Sequence, residues 1–314
     1  MARETDAGLS PDEAFSALGN EIRVSILRVL AEADGPLPFS EVYGALDVDD
    51  SAQFNYHLDK LVGHFVGKTD EGYTLRRPGR RVVEAILSGA VTEAPQLDRT
   101  SVDGNCSYCG SRIEVQWRES SIELFCTECD GAWDRSWGRA GGPQPVDDGY
   151  LGRLPMPPAG LEARSPTEAY CAAWIWTNLE VMAAASGICP RCSARLETSI
   201  HACESHDADG EVCADCESRF AVRAVFECDN CNYTTGGSAA LALLTEDELL
   251  SFMTDQGLNP VAPESIHRVD RTHTDYEEEV LSTDPLEVGF TFTVDGGRLT
   301  LRVDEDLEVV EASR

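Results

Sequence analysis

Eleven of the twelve cysteines in this 314-residue chain fall into short two-ligand spacings. Five pairs read C-x-x-C: Cys106/Cys109, Cys126/Cys129, Cys189/Cys192, Cys213/Cys216 and Cys228/Cys231. A sixth pair reads C-x-x-H, Cys203 with His206, and only Cys171 stands alone. Two ligands three residues apart hold one edge of a tetrahedral metal site, so six such knuckles offer enough ligands for three closed sites. Closed sites rich in sulfur hold structural zinc, whereas catalytic zinc keeps one position open for water. The chain is therefore expected to carry about three structural zinc ions. Disulfides are the competing use of the same pairs. The opening segment is polar and has no secretory leader pattern, which points to a reducing cytoplasm where thiolates bind metal.

The segments between knuckles say how the sites are positioned. After Cys109 come alternating Ile113, Val115 and Trp117, then Ile122 and Leu124 before Cys126. Two strands joined by residues 118–121 bring both knuckles to one end, the geometry of a zinc ribbon. The second cluster has eight ligands in the order CC, CH, CC, CC. Residues 196–202 and 219–227 alternate like single strands, and a strand carries its ends apart by ~3.3 Å per residue. Neighbouring knuckles then fall at opposite ends. This favours interleaving: Cys189, Cys192, Cys213 and Cys216 at one site, and Cys203, His206, Cys228 and Cys231 at the other. A turn at 207–210 fits that course. The ligand order resembles cross-braced RING-like domains, although the gap from His206 to Cys213 is longer than theirs, so no ubiquitin-ligase activity is carried over.

Charge sets the background. There are 56 acidic against 25 basic residues, a formal net charge of −31, and only Lys60 and Lys68 are lysine. With 42% hydrophobic residues the chain is too apolar to be a disordered acidic tail. The balance resembles proteins of salt-loving archaea, where concentrated salt screens self-repulsion. The most apolar helix, residues 166–186, contains Asn178 and Glu180, which argues against a membrane span.

The first ninety residues read as helices, a hairpin and a helix. Ser10-Pro11-Asp12-Glu13 is a capping box with proline at the first helical position. Helices follow through Ile22–Leu30, Ser40–Leu46 and, after a second box at Asp50–Gln53, Phe54–Val62. Residues 64–75 read as two strands around a polar tip, and a last helix carries Val82, Val83, Ile86 and Leu87. The run Leu18–Leu27 and the run Gln53–Leu61, whose core Asn55-Tyr56-His57-Leu58-Asp59-Lys60-Leu61 is close to S-x-H-L-x-x-L, resemble ArsR-type winged helix-turn-helix regulators of the haloarchaeal kind. The resemblance implies a homodimer through the first and last helices, with the Ser51–Leu61 helix in the DNA major groove and the hairpin as wing. The family's metal-sensing cysteines near the third helix are absent here. With Leu58 inward, Gln53, Tyr56 and Lys60 point outward and Asn55 and His57 flank them. The expected DNA contacts are Ser51, Gln53, Asn55, Tyr56, His57, Lys60, Lys68, Arg76 and Arg77. From Lys60 to Arg81 six basic residues meet two acidic ones, a positive stripe on a negative chain.

The expected fold class is α+β and multidomain. Residues 1–92 form the winged helix and 93–137 the first ribbon. Gly- and Pro-rich 138–164 reads as a linker. Residues 165–314 form a C-terminal domain holding the two-site cluster at 188–234 and a β meander at 278–311. Ser165–Glu168 repeats the capping box with proline, and Thr245–Glu248 is read as another helix start. The functional expectation is a sequence-specific transcription regulator of double-stranded DNA, open to an effector or partner at its C-terminal region. A zinc-stapled adaptor whose winged helix docks a protein is the alternative, and a redox sensor using Cys171 ranks below both. No nucleophile motif or phosphate loop suggests an enzyme.

Overall fold

A computed structural model of the chain describes residues 9–92, 94–136, 144–207 and 211–314. The fold is mixed α and β, with several antiparallel sheets. It divides into two compact units, Met1–Glu93 and Ala94–Arg314.

The first unit runs α1 (Pro11–Leu18), α2 (Glu21–Glu32), α3 (Phe39–Gly44), α4 (Ser51–Leu61), β1 (Val66–Thr69), β2 (Gly72–Leu75) and α5 (Arg77–Leu87). Ser10 and Glu13 cap α1 reciprocally, so two orphan helix donors are met by side chains. At α4 only half of the expected box forms: the Asp50 carboxylate accepts from the amide of Ala52. Ile26, Leu27, Val42, Phe54, Leu58 and Leu61 are fully enclosed and make one core, with the Phe39 ring edge-on to Phe54 at 5.0 Å. Strands β1 and β2 pair antiparallel from Val66↔Leu75 to Thr69↔Gly72. The chain before α3 joins them, because Leu37 and Tyr73 exchange backbone hydrogen bonds. Gly72 makes that approach possible: its φ is +141°, and a Cβ there would lie 2.3 Å from the Leu37 carbonyl oxygen.

The second unit begins with β3 (Thr100–Asn105), β4 (Arg112–Arg118) and β5 (Ser121–Cys126), followed by short β6 (Arg135–Ser136) and β7 (Gln144–Pro145), then β8 (Tyr150–Pro155). Strands β3-β4-β5-β8 form one sheet. The stretch 138–164 is thus not a free linker, although 137–143 lie outside the described residues. Tyr150–Pro155 pairs with Ser121–Phe125, with Tyr150 against the Phe125 ring and Leu151 and Leu154 packed on the core, while Gly149 at φ +80° turns the chain into the strand.

Next come α6 (Pro166–Ala185), β9 (Glu197–Ala202), β10 (Val222–Glu227), β11 (Thr234–Ser238), α7 (Asp247–Asp255), α8 (Ile266–Thr274) and the strands β12 (Glu277–Thr283), β13 (Leu286–Val294), β14 (Gly297–Val303) and β15 (Val309–Ser313). Ser165 and Glu168 cap α6 reciprocally. Thr245 caps nothing: it ends a 3-10 turn over Ala239–Thr245 whose alanines, with Leu243 and Leu244, are buried, and α7 starts after it without a side-chain cap. The last four strands form a meander in chain order, with Phe290↔Leu301 and Phe292↔Leu299 facing each other across β13 and β14. One continuous core runs from Val115 and Ile122 of the first sheet through Trp174 of α6 to Phe290 and Phe292 of the meander. The stretch expected to be a first ribbon and the C-terminal region are therefore one unit rather than two domains joined by a linker. Among the described residues no helix is long and apolar enough to cross a membrane.

Candidate metal centres

Four of the knuckles are built alike. The first cysteine's amide donates to the carbonyl five residues on, as in Cys106 to Ser111, Cys189 to Ala194, Cys213 to Ser218 and Cys228 to Tyr233. The same cysteine's carbonyl accepts from the amide four residues on, at Gly110, Ser193, Glu217 and Asn232. Those four residues all have positive φ, between 54° and 76°, the left-handed turn that swings the chain back and leaves both sulfurs on one side. The Cys126 knuckle is closed differently. The amides of Glu128 and Cys129 point at the Cys126 sulfur, and the chain turns at Gly131 (φ +88°), where a Cβ would lie 2.2 Å from the Tyr150 carbonyl oxygen.

The strands then bring knuckles together in three groups of four, with the ligand atoms of each group all within 4.8 Å of one another. Cys106, Cys109, Cys126 and Cys129 form the first, because β4 and β5 pair from Arg118↔Ser121 to Ile113↔Cys126 and leave both knuckles at the open end of the hairpin. The tight turn of that hairpin uses Glu119 and Ser120, both at positive φ.

The other two groups correct the interleaved expectation. Cys189 and Cys192 meet Cys228 and Cys231, while Cys203 and His206 meet Cys213 and Cys216. Each strand does carry its two knuckles to opposite ends, as expected. The decisive fact is that β9 and β10 pair with each other, antiparallel, from Glu197↔Glu227 to Ala202↔Val222. Residues just before β9 then lie beside those just after β10, and the inner two knuckles sit together at the other end. The arrangement is nested: the inner site closes a wide hairpin and the outer site clasps its open ends. Of the expected turn at 207–210, residues 208–210 lie outside the described residues.

The geometry fits a tetrahedral ion. Sulfur pairs stand at 3.7 Å (Cys106–Cys129), 3.4 Å (Cys109–Cys126) and 3.6 Å (Cys189–Cys231 and Cys192–Cys228). Four sulfurs each about 2.3 Å from a central ion would be about 3.8 Å apart. In the third group the Nδ1 atom of His206 is 3.4 Å from the Cys216 sulfur. The His206 ring is also hydrogen-bonded to the Arg219 backbone, the kind of outer contact that fixes a ligating imidazole. Amide donors favour the thiolate form: the Ala194 amide and the Asn230 side chain hold the Cys192 thiol down to about 6, and amides at Asp207 and Cys216 hold Cys213 at about 7. Burial pushes Cys216 the other way, up to about 12.

Two side-chain links that the spacing alone did not reveal tie these sites to helices. Within the first knuckle Ser107 donates to Asp270 of α8, whose other oxygen accepts from Trp174 Nε1 of α6 at 3.0 Å. Within the outer knuckle Arg191 forms a two-bond pair with Glu180 of α6, at 2.7 and 3.1 Å, and lies over the Tyr233 ring. Glu180 was visible in the sequence only as a charge on an apolar helix. Lone Cys171 is partly buried, and its thiol is pushed up by burial and by the charges of Asp103 and Glu168, the opposite of a reactive thiolate.

In the first unit, α4 buries Phe54, His57, Leu58 and Leu61. Ser51, Gln53, Asn55, Tyr56 and Lys60 are exposed on its other side, as are Lys68 on β1 and Arg76 and Arg77 at the start of α5. Lys60 lies over the Tyr56 ring at 5.4 Å, and Asn55 donates to Asp59 at 3.0 Å. His57 departs from the expected set: it is 8% exposed, and its Nδ1 lies 3.4 Å from an Arg23 guanidinium nitrogen. Burial, and then the Arg23 charge, lowers its pKa, so it packs as a neutral ring rather than offering a positive contact.

Residues 103–309 match the family model described as Domain of unknown function (DUF7351), and the chain belongs to that family. Residues 11–86 match a second model, Domain of unknown function (DUF7347). No curated protein and no solved structure matches the chain.

Proposed function

We propose that this member of the DUF7351 family is a sequence-specific DNA-binding transcription regulator whose C-terminal unit is held together by three structural zinc ions. In this reading the first unit is a winged helix-turn-helix with the character of ArsR-type regulators, α4 is its recognition helix and the β1–β2 hairpin its wing. The observation that carries the reading is the exposed α4 face of Gln53, Tyr56 and Lys60 in a unit that also presents Lys68, Arg76 and Arg77. A glutamine there suits bidentate contact with adenine, and the basic residues suit phosphates. Phe15 on α1 and Leu87 at the end of α5, 75% and 60% exposed, are the apolar surface a homodimer through those helices would cover. Sulfur-rich four-ligand groups match closed structural zinc and leave no position for an activated water, which favours a non-catalytic role. A cytoplasmic setting fits thiols that stay reduced.

Binding curves on matched and mutated operators across a KCl series test this. Gln53→Ala should cost about 1–3 kcal/mol at one operator position and relax preference there. Arg77→Ala should weaken binding to all sequences alike and lower the salt slope by about one unit. If neither substitution changes DNA affinity in folded protein, the unit docks a protein instead and the adaptor reading takes over.

A further inference from the structure

A cavity of about 360 Å³ lies within the second unit, beside the third metal group, with His206 on its wall. That volume is in the range of small-molecule sites. Its lining comes from three distant parts of the chain: Tyr108 of the first knuckle, Phe220 on the approach to β10, and the Tyr276–Glu278 segment that opens β12. Phe220 and Tyr276 stack with ring centres 5.8 Å apart and planes 16° from parallel, and Phe290 and Phe292 hold Tyr276 from behind. Trp133 lies against Phe220 with ring centres 5.4 Å apart, so the stack is a packed aromatic wall of the cavity. Glu278 stands next to it. The carboxyl accepts from the Ala221 amide and has the Val222 amide beside it; its Oε2 is buried and makes no full hydrogen bond among the described residues. A buried carboxylate oxygen without a donor is costly, so the group is set to receive one.

The sign of the incoming charge follows from the remaining lining. Asp207 adds acidity to Glu278, whereas Asp275 is paired with Arg271 at 3.0 Å. The basic residue on the wall, Arg219, is already engaged: its guanidinium lies over the Tyr108 ring at 4.3 Å and its Nε donates to the Gly131 carbonyl at 3.0 Å. An anion would find the carboxylates of Glu278 and Asp207, beside an Arg219 guanidinium tied through its Nε and the Tyr108 ring. A flat cation would find the Glu278 carboxylate and an aromatic wall, the two partners that attract it.

We infer that this cavity is a binding site for a small organic cation, an amine or amidine on a flat apolar body of about one ring, whose N–H group is received by Glu278. The site is made of second-unit residues and the proposed DNA surface of first-unit residues, so it stands or falls without that reading.

The test uses the full chain with its metal bound, at pH 8 and without DNA, titrated with benzylamine and benzamidine and with neutral benzyl alcohol and anionic benzoate as matched controls. Calorimetry or saturation-transfer NMR gives the affinities. The two cations should bind saturably, with Kd on the order of 1 mM for ligands of this size. Benzyl alcohol and benzoate should bind at least ~10-fold more weakly. Glu278→Gln keeps an acceptor for the Ala221 amide and should lose about 10-fold in cation affinity. Phe220→Leu, which removes the aromatic face by a different route, should lose about 3-fold. The inference is overturned if neither cation binds folded protein by 10-fold above the expected Kd, if benzoate or benzyl alcohol binds as well, or if both variants bind as the parent does.

Discussion

The nested pairing of the second metal cluster can be tested with two serine substitutions, because the sites differ in composition. The three groups offer eleven sulfurs and one imidazole nitrogen in total, and the nitrogen belongs to the group of Cys203, His206, Cys213 and Cys216. Cys213→Ser breaks that group. After treatment with a chelator that strips three-ligand sites, the protein should keep two ions held by eight sulfurs and no imidazole. Cys228→Ser breaks the all-cysteine group of Cys189, Cys192, Cys228 and Cys231 instead. It should keep two ions held by seven sulfurs and the His206 nitrogen. X-ray absorption at the metal edge reads this directly, since an imidazole ring gives an outer-shell scattering pattern that thiolates lack. Elemental analysis should fall from about three ions per chain to about two in both variants. Interleaved sites would exchange the two spectra, so that the imidazole signal vanished with Cys228→Ser. Sequential sites would keep it in both. Either result refutes the antiparallel pairing of β9 with β10 as the device that groups the ligands. A parent protein with one ion or none would refute the metal reading as a whole.

The remaining predictions concern stability. Gly72→Ala forces a Cβ toward the Leu37 carbonyl at a φ that side chains rarely adopt, and should destabilise the first unit by about 2–3 kcal/mol while leaving the melting of the second unchanged. Denaturant unfolding followed by signals from each unit separates the two; equal loss in both would be wrong for this reading. Arg191→Ala leaves Glu180 buried and unpaired, and should cost about 2–3 kcal/mol, below the figure for a fully buried pair because Arg191 is 41% exposed. A loss under 0.5 kcal/mol, on the order of a surface pair, would show the pair to be ornamental. Burial pushes the Glu278 carboxyl from 4.5 up to about 7, so folded protein gives up stability as pH rises between those values. Glu278→Gln removes that cost, and its gain should grow from about 1 kcal/mol at pH 5.5 to about 3 kcal/mol at pH 8. A gain independent of pH in paired melting curves would refute the burial of that charge.

What could be read in the sequence was local. In four of the six knuckles the cysteines are set by hydrogen bonds that span four or five residues, and C-x-x-C and C-x-x-H spacing was enough to pick out all twelve residues that the fold gathers. The reciprocal caps at Ser10 and Ser165 are equally local, each closed within one helical turn. The outward face of α4 follows from its period, with His57 as the exception, because its position on the flank was settled by Arg23 on another helix.

Tertiary structure decided what depends on partners far along the chain. Alternation pointed to strands within 196–202 and 219–227, found at Glu197–Ala202 and Val222–Glu227, but not to their pairing with each other, and that single pairing selects nested over interleaved sites. Gly and Pro marked turns in 138–164 without telling a free linker from the approach to a sheet edge, which rests on the partner strand β5. Thr245 had the residue type of a cap, yet the 3-10 turn before it is held by burial of its alanines, Leu243 and Leu244 in a core the sequence does not order. Side-chain type and spacing fix interactions that close within a turn of chain. Contacts across tens of residues are chosen by which arrangement buries the apolar faces together, and that choice exists only in the folded molecule.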